Sequence, residues 1–513
     1  MPILHWLTRD EDIRAATRVP YRLLEEVSDL SSGDTDASNM LIQGDNLDAL
    51  KALLPFYAGQ VKCIYIDPPF NTGQAFQHYD DNLEHSIWLS IMYARLEILR
   101  DLLAPTGTIA IHLDDEELAY CICILDEIFS RKNRVNICTF RQAAAVGHKA
   151  INPGVVTVTN YVIIYARDKT NNWKPNRVFT KRGRDTRYAS FIENYEDEYP
   201  DWRLIPLSQA FAQTTGETLR EQKKRLGDQY ETALDEFVLK NADRVVRPAR
   251  PDYQGVGQET RDMIDKSKDD PNRVYLQVRQ NYSDIYMYNG ERWLFYRDKL
   301  KEVDGELVSG EPLTNLWDDL RSNNLHNEGG VKFPKGKKPE ALIKRVLELF
   351  TNPGDLVLDS FLGSGTTAAV AHKMGRRYIG IEMGDHAVSH CVPRLRKVIE
   401  GEQGGISKSV NWQGGGVFRF YRLGPPVFDE DGQIRSDIRF PVLAAHVYFS
   451  ETGHPWKGAG DSPFLGLYDG RAYALLYNGI LGDKRPGGGN VLTRATLAHI
   501  REEIAKVHPG ADG

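Results

Sequence analysis

The run Val61-Lys-Cys-Ile-Tyr-Ile66, followed at once by Asp67-Pro68-Pro69-Phe70-Asn71, constrains this chain more than any other stretch. β-Branched and aromatic residues follow one another as in a buried strand, until two prolines without amide donors stop the ladder. Asp67 therefore falls at the carboxyl end of a strand, the edge where open α/β sheets bind their ligands. The prolines stiffen the turn, so the Asp67 carboxylate and the Pro68 carbonyl both offer lone pairs, with Phe70 as a flat apolar face beside them. An exocyclic amine on an aromatic base fits that set: acceptors for its N–H groups and a ring to stack on. A surface turn after a core strand would read the same way from these residues alone.

A second segment far along the chain narrows the choice. Asp355 to Asp359 reads as a strand, Ser360 to Gly365 as a turn, and Thr366 to Met374 as a helix. Gly363 and Gly365 let backbone approach a ligand, and the helix N-terminus favours a carboxylate. Glu382, after a further strand from Arg377 to Ile381, suits a pair of ribose hydroxyls. The third glycine of a dinucleotide fingerprint is missing, because Ala368 and Ala369 follow Thr366 and Thr367.

Asp67-Pro-Pro-Phe70 together with Phe361-x-Gly363-x-Gly365-Thr-Thr367 resembles the amino-methylating DNA methyltransferases that use S-adenosyl-L-methionine. The catalytic motif precedes the cofactor motif, which is the permuted order of the β group of these enzymes. Asp81 to Ser86, Leu113 to Glu117 and Gly405 to Gly416 look like the modification (Mod) subunits of type III restriction systems. The resemblance implies an α/β fold: a Rossmann-like methyltransferase sheet in permuted order, an inserted target-recognition domain and a small C-terminal α+β module. The implied divisions are an extension over 1–38, a catalytic half over 39–167, the insertion over 168–310, a cofactor half over 311–403 and the module over 404–513. It also implies that Asp67, Pro68, Pro69 and Phe70 are catalytic. Asp359, Phe361, Gly363, Ser364, Gly365, Thr366, Thr367 and Glu382 would hold the cofactor, with Lys338 near its methionine end. Asp45 and Asn46 would lie against its adenine, although Asp45 is equally readable as a helix N-cap. Adenine N6 is the expected target, since cytosine-N4 enzymes usually carry Ser at the first motif position. Cytosine N4 and a catalytically idle DNA-binding subunit stay open as alternatives.

A net charge of −7 does not advertise a nucleic-acid partner, but its distribution does. Residues 131–187 hold thirteen basic side chains against Asp168 and Asp185. Such a window suits duplex DNA, because neutralised phosphates release counterions. Arg141, Lys149, Lys174, Arg177, Lys181, Arg182 and Arg184 are its candidate contacts, and Lys332, Lys335, Lys337 and Lys338 form a second candidate phosphate loop. A solvated basic face is the competing reading. Five scattered cysteines without zinc spacing read as reduced thiols, and no metal site is expected. With no apolar run of membrane length, the expectation is a cytoplasmic protein without a membrane partner. A second copy of the chain and a restriction subunit are candidate protein partners.

Elsewhere the patterns are weaker. Glu11 to Ser28 reads as helix-like, ahead of a polar linker. Met40 to Gln43 reads as a strand, Leu47 to Phe56 and His85 to Leu103 as helices, and Gln74 to Asn82 as a lid over the site. Gly107 to Leu113 is a strand and Glu116 to Phe129 a helix, with His112 and Asp114 structural. Tyr161 to Tyr165 is a further strand, Leu207 to Asn241 is helical, and Glu340 to Phe350 is a helix opened by Pro339. Aromatics between Val274 and Phe295 either pack a small β core or stack on bases. Near the end, Val417 to Tyr421, Ala445 to Phe449 and Ala472 to Tyr477 read as strands and Arg494 to Val507 as a helix.

Overall fold

The computed structural model describes residues 3–33, 38–71, 85–142, 154–280, 282–320, 325–333, 336–435, 437–477 and 490–509. The Gln74–Asn82 lid and Lys149 lie outside these residues. The chain divides into two compact units, one made of Met1–Asn176 with Thr314–Gly513 and the other of Arg177–Leu313.

The first unit is organised by a ten-stranded sheet. Its strands are β1 (Arg22–Glu26), β2 (Met40–Gln43), β3 (Val61–Ile66), β4 (Leu103–Leu113), β5 (Arg134–Arg141), β6 (Thr159–Ala166), β7 (Leu316–Trp317), β8 (Leu356–Asp359), β9 (Arg377–Glu382) and β10 (Arg419–Pro426). Their spatial order is β1-β10-β2-β9-β8-β3-β4-β6-β5-β7. The run from β10 to β4 is parallel, and β1 and β6 are antiparallel to their neighbours. Such a parallel centre must be covered on both faces. Helices α1 (Asn46–Tyr57), α2 (His85–Leu102) and α3 (Leu118–Phe129) bury Leu50, Leu53, Trp88, Leu96, Leu99 and Ile124 against Ile64, Ile66, Leu356 and Leu358. The alternate residues Cys63, Tyr65 and Val357 are buried as well. They turn to the opposite face, where α4 (Glu340–Phe350) packs on β3 and α5 (Thr366–Lys373) on β8 and β9.

The register carries the functional consequence. Val357 pairs with Cys63 and Leu358 with Ile64. Two segments nearly three hundred residues apart in sequence thus end side by side, and the Asp67 and Ser360 turns leave the same sheet edge.

A buried charge cluster fastens the back of this edge. Glu340, at the first turn of α4, is fully buried with Lys373 of α5 at 2.8 Å and Arg394 of α6 (Val392–Ile399) at 2.7 Å. Lys373 also pairs with Glu402, and the Ile406 amide donates to Glu340 at 3.1 Å. Burial alone would raise the Glu340 carboxyl, but Arg394 and Lys373 hold it below its ordinary value.

Residues 445–449 belong to a helix, Phe440–Thr452, not a strand. Pro441 sits at its first turn and Gly453 closes it with φ 69°, the start and stop signals that the β-rich letters Val-Tyr-Phe obscured. Glu11 to Ser28 is not one helix. After two short turns of helix Pro20 breaks the chain into β1, which pairs antiparallel with β10. Because β10 also pairs with β2, residues 404–513 do not stand apart as a module. The stretch 207–241 holds three helices, separated at Gly216 and Gly227, whose φ values are 67° and 50°.

The second unit has a six-stranded antiparallel sheet, a three-stranded sheet and four helices, Leu207–Gln213, Leu219–Leu226, Tyr230–Lys240 and Gln258–Asp269. It begins at Arg177, not 168, because the preceding residues are tied to the first unit. Trp173 Nε1 donates to Thr108 Oγ1 at 2.9 Å, and Asn176 Nδ2 to the Glu348 carbonyl at 2.9 Å. Trp293 and Phe295 are buried with Trp202, and Tyr286 and Tyr288 pack on them, so these aromatics build a β core. Tyr282 alone of the group is largely exposed, with the Arg279 guanidinium over its ring. Among the described residues no helix is long and apolar enough to cross a membrane.

Removing the Glu340 carboxylate would strand two buried cations. Glu340→Ala is expected to cost about 3–5 kcal/mol in urea unfolding. A loss below about 1 kcal/mol would show that the cluster is not what holds α4, α5 and α6 together.

Candidate functional site

Asp67 to Asn71 is held from three sides. Trp88 of α2, buried to 1% exposure, donates from Nε1 to the Pro69 carbonyl at 2.8 Å. Asn71 adopts φ 62° and donates to Glu117 Oε1 at 2.7 Å, and the same oxygen lies 2.9 Å from His85 Nδ1. Phe70 packs on the apolar core and meets the His112 ring at 5.7 Å. His112 is buried, with Tyr65 Oη at 3.0 Å from Nδ1 and Asn160 Nδ2 at 3.1 Å from Nε2. Burial, with the Lys338 charge added, pushes its pKa well below the ordinary value. This ring is therefore a neutral wedge under Phe70.

Lys338 comes to the motif from the loop before α4. Its Nζ lies 2.9 Å from Asp67 Oδ2 and 4.5 Å from the centroid of the Phe70 ring. The neighbouring Lys337 turns the other way, donating to the carbonyls of Glu328 and Val331, and burial lowers its pKa to about 8. Neither fits the phosphate loop expected from sequence, since Lys337 is buried and Lys338 is engaged with Asp67. Lys332 is exposed, and Lys335 lies outside the described residues.

The glycine turn follows β8. Gly363 and Gly365 have φ 57° and 81°, left-handed values that side chains disfavour. Gly363 N donates to Glu382 Oε2 at 2.7 Å, while Glu382 Oε1 receives Gly384 N at 3.1 Å and faces His386 Nε2 at 2.9 Å. Behind the turn, Cys391 Sγ donates to the Gly363 carbonyl at 3.1 Å and Arg394 to Thr366 Oγ1 at 2.7 Å. Ser364 and Thr366 hydroxyls are 3.2 Å apart, and Phe361 packs on the apolar core. Asp359 is fully buried and accepts from Thr367 Oγ1 at 2.6 Å and from the Phe361 amide at 2.9 Å. Burial, reinforced by the charges of Asp67 and Glu382, raises its pKa to about 7. Asp67 and Glu382 thus lie within Coulombic reach of Asp359. Among the described residues Ser360 Oγ, buried beside them, has no hydrogen-bond partner.

Asp45 caps α1 by accepting from Leu47 N at 2.8 Å and pairs with Arg95 at 3.1 Å. Asn46 donates to the Ser360 carbonyl at 2.8 Å and accepts from Arg95 Nε, tying the β2 turn to the glycine turn. Both residues hold the edge together. Trp88 and Arg95, inside a helix pattern that core packing already explains, and Arg394 were not singled out from sequence; Glu117 entered within the Leu113 to Glu117 stretch and Cys391 only as one of five scattered thiols.

The candidate DNA contacts separate into kinds. Arg141, Lys174 and Arg177 are exposed. Lys181 and Arg182 make exposed pairs with Glu306 at 3.2 Å and Glu311 at 3.5 Å, which are weakly held. Arg184 is withdrawn from the set. Its side chain is 10% exposed and bridges Glu231 and Asp235, each at 2.7 Å, as a structural clamp. Among the described residues no three His, Cys, Asp or Glu side chains cluster as a metal site would require.

A parallel sheet edge with a glycine turn beside an acid-ended strand defines a doubly wound α/β protein of the nucleoside-cofactor type. Residues 61–392 match the family model for DNA methylases of the N6/N4 methyltransferase group. The chain is 37% identical over 422 residues to the "Probable type III restriction-modification enzyme HindVI Mod subunit" of Haemophilus influenzae, covering 77% of this chain and 55% of that one. It is 26% identical to the EcoP15I Mod subunit of Escherichia coli, covering 73% of this chain and 62% of that one. Among solved structures, the cytosine-N4-specific PvuII DNA methyltransferase aligns with 14% identity and a TM-score of 0.33, over 74% of this chain and 95% of that one. The chain belongs to the DNA methylase family and is related to type III Mod subunits, of whose length it spans little more than half.

The raised Asp359 makes a prediction with a definite sign. A carboxyl whose folded pKa exceeds its unfolded value adds stability fully present below about pH 4 and lost as pH rises through about 7. Relative to Asp359→Asn, wild type should lose at most a few kcal/mol between those limits in urea unfolding. Parallel pH curves would contradict the burial argument.

Proposed function

We propose that the protein transfers the methyl group of S-adenosyl-L-methionine to the N6 amine of an adenine rotated out of duplex DNA, within a specific sequence. The observation that carries the reading is that Asp67 Oδ2 and the Phe70 face converge on one nitrogen-sized point, marked by Lys338 Nζ at 2.9 and 4.5 Å. A carboxylate and a ring so placed suit an amine on a flat heterocycle. The donor set beside it suits the cofactor. Glu382 would take the ribose hydroxyls, and the turn from Gly363 to Thr366, with the orphaned Ser360 hydroxyl, would take polar groups along the nucleoside. Asp359, whose pKa the charges of Asp67 and Glu382 help to raise, marks an acidic surrounding that suits a cation, and when bound this cofactor supplies an electrophilic methyl on a positively charged sulfur.

The chain's own contribution is then positioning and charge. The adenine amine is a poor nucleophile because its lone pair is delocalised into the ring. Asp67 and the Pro68 carbonyl accept from its N–H groups, favour a tetrahedral nitrogen and stabilise the positive charge that grows there in the transition state. Phe70, braced by the neutral His112, stacks on the base and offsets part of the unstacking cost of a few kcal/mol. Arg141, Lys174, Arg177, Lys181 and Arg182 would follow the phosphates, and the Arg177–Leu313 unit would read sequence. Asp rather than Ser at position 67 is the ground for preferring adenine N6 over cytosine N4. A restriction subunit is proposed as a protein partner on the strength of the Mod relationship, and a second copy of this chain is a further candidate.

The test is incubation of unmethylated plasmid with S-adenosyl-L-methionine, followed by mass spectrometry of the nucleosides and modification-aware sequencing. N6-methyladenine in one sequence context is expected; N4-methylcytosine would overturn the choice of base, and no methylated nucleoside the activity itself. Asp67→Ala should lower turnover at least a thousandfold and leave DNA affinity within about threefold, as read by single-turnover kinetics and fluorescence anisotropy.

A further inference from the structure

The nitrogen at the amine position belongs to the protein. Lys338 Nζ donates to Asp67 Oδ2 and lies over the Phe70 ring, in the place that the reading above gives to the target base. Its side chain is only 12% exposed, so an entering amine cannot pass without moving it. The backbone on both sides is anchored. Lys337 is stapled to the carbonyls of Glu328 and Val331, and two residues on, Glu340 is clamped by Lys373 and Arg394. Only the lysine side chain is left to swing, about four rotatable bonds on a flexible stem. Arg394 also grips Thr366 and Ser364, so the lysine loop and the glycine turn share one rigid support.

The charges that surround the ammonium give it a reason to leave. Asp67 holds it, Asp67 and Glu382 lie close enough to perturb Asp359, and His112 beneath Phe70 is neutral. In an empty site Lys338 balances carboxylates. A second cation among the same acids competes with it for them and repels it, because like charges inside a poorly screened site interact strongly.

We propose that Lys338 is a charge-sensing latch on the amine position: its ammonium fills that position until a cationic methyl donor enters among Asp67, Asp359 and Glu382, and returns when the donor has become a neutral thioether. The inference rests on the methyltransferase reading. It makes the base-receiving state conditional on an unreacted donor and helps to expel the methylated base after transfer. Lys338 acts through Asp67 and is a positioning residue.

The test separates charge from occupancy with two cofactor analogues: sinefungin, which carries an amine in place of the sulfonium, and S-adenosylhomocysteine, which is neutral there. A duplex with 2-aminopurine at the target adenine, in the sequence context found by the plasmid experiment, reports unstacking as fluorescence. At saturating ligand, wild type should give a gain at least fivefold larger with sinefungin than with S-adenosylhomocysteine. Lys338→Met should give nearly equal gains with both, and Lys338→Arg, which keeps the charge, should retain the difference. Equal gains in wild type, or a difference surviving in Lys338→Met, would overturn the latch. Loss of both analogues from Lys338→Met by calorimetry, with an unchanged circular dichroism spectrum, would overturn it too and make Lys338 a cofactor ligand. Lys338→Gln serves if the methionine variant does not fold. Wild type that methylates plasmid but fails the fluorescence comparison defeats the latch alone, whereas wild type that methylates nothing defeats the reading beneath it.

Discussion

Every chemical feature of this protein depends on the parallel pairing of Val61–Ile66 with Leu356–Asp359. The register that sets Leu358 against Ile64 brings the double-proline turn and the glycine turn off one sheet edge. A shift by one residue would reverse which side chains face each layer of helices, and burial on both faces forbids it. The long connection between these strands is tolerable because closure entropy rises only logarithmically with loop length. Much of it is spent on Arg177–Leu313, a unit with cores of its own, so the central sheet need not accommodate its folding.

Around that pairing the charges are arranged in two layers. In front stand Asp67, Asp359 and Glu382, the first and last of which add to the burial that raises the pKa of the second. Behind stand Lys373 and Arg394, cations neutralised by Glu340 and Glu402. The layers meet where Arg394 reaches Thr366 and where Pro339 joins Lys338 to Glu340. A buried ion cluster contributes little net stability when complete and costs much when broken. Its use here is geometric: it fixes the backbone of the glycine turn and of the lysine loop to the same support.

The parts legible in the sequence were those with short-range causes. The Val61–Ile66 strand, the Glu340–Phe350 helix and the final helix Arg494–Val507 have the bounds that apolar periodicity, Pro339 and the polar flanks dictate. Both motif turns were readable because proline and glycine act on their own backbone. What escaped was set by tertiary context. The helix Phe440–Thr452 carries β-prone letters, yet Leu443 is buried in one small cluster and Ala444 and Ala445 in another, so packing on more than one side fixes the helix. Arg184 looked like part of a phosphate track because its partners Glu231 and Asp235 lie some fifty residues on. Trp88 and Arg95 looked like ordinary members of an amphipathic pattern, and no local signal says that one polar atom of each points at a turn.

Lys338 shows why such roles stay hidden. In sequence it is one of four lysines in a loop, and charge density alone suggests phosphate. The loop instead sends Lys337 into a buried staple and Lys338 to Asp67, so neighbouring residues of one type acquire opposite surroundings. A carboxylate held at the mouth of an apolar edge, with 18% of its side chain exposed, is poorly solvated and draws a cation from whatever is within reach. A site shaped to grip an amine will grip one of its own when no other is present. On the proposed reading, the requirement that would suit Asp67 to the base also explains why a lysine is found upon it, and exchange between the two amines would follow from the site's charge.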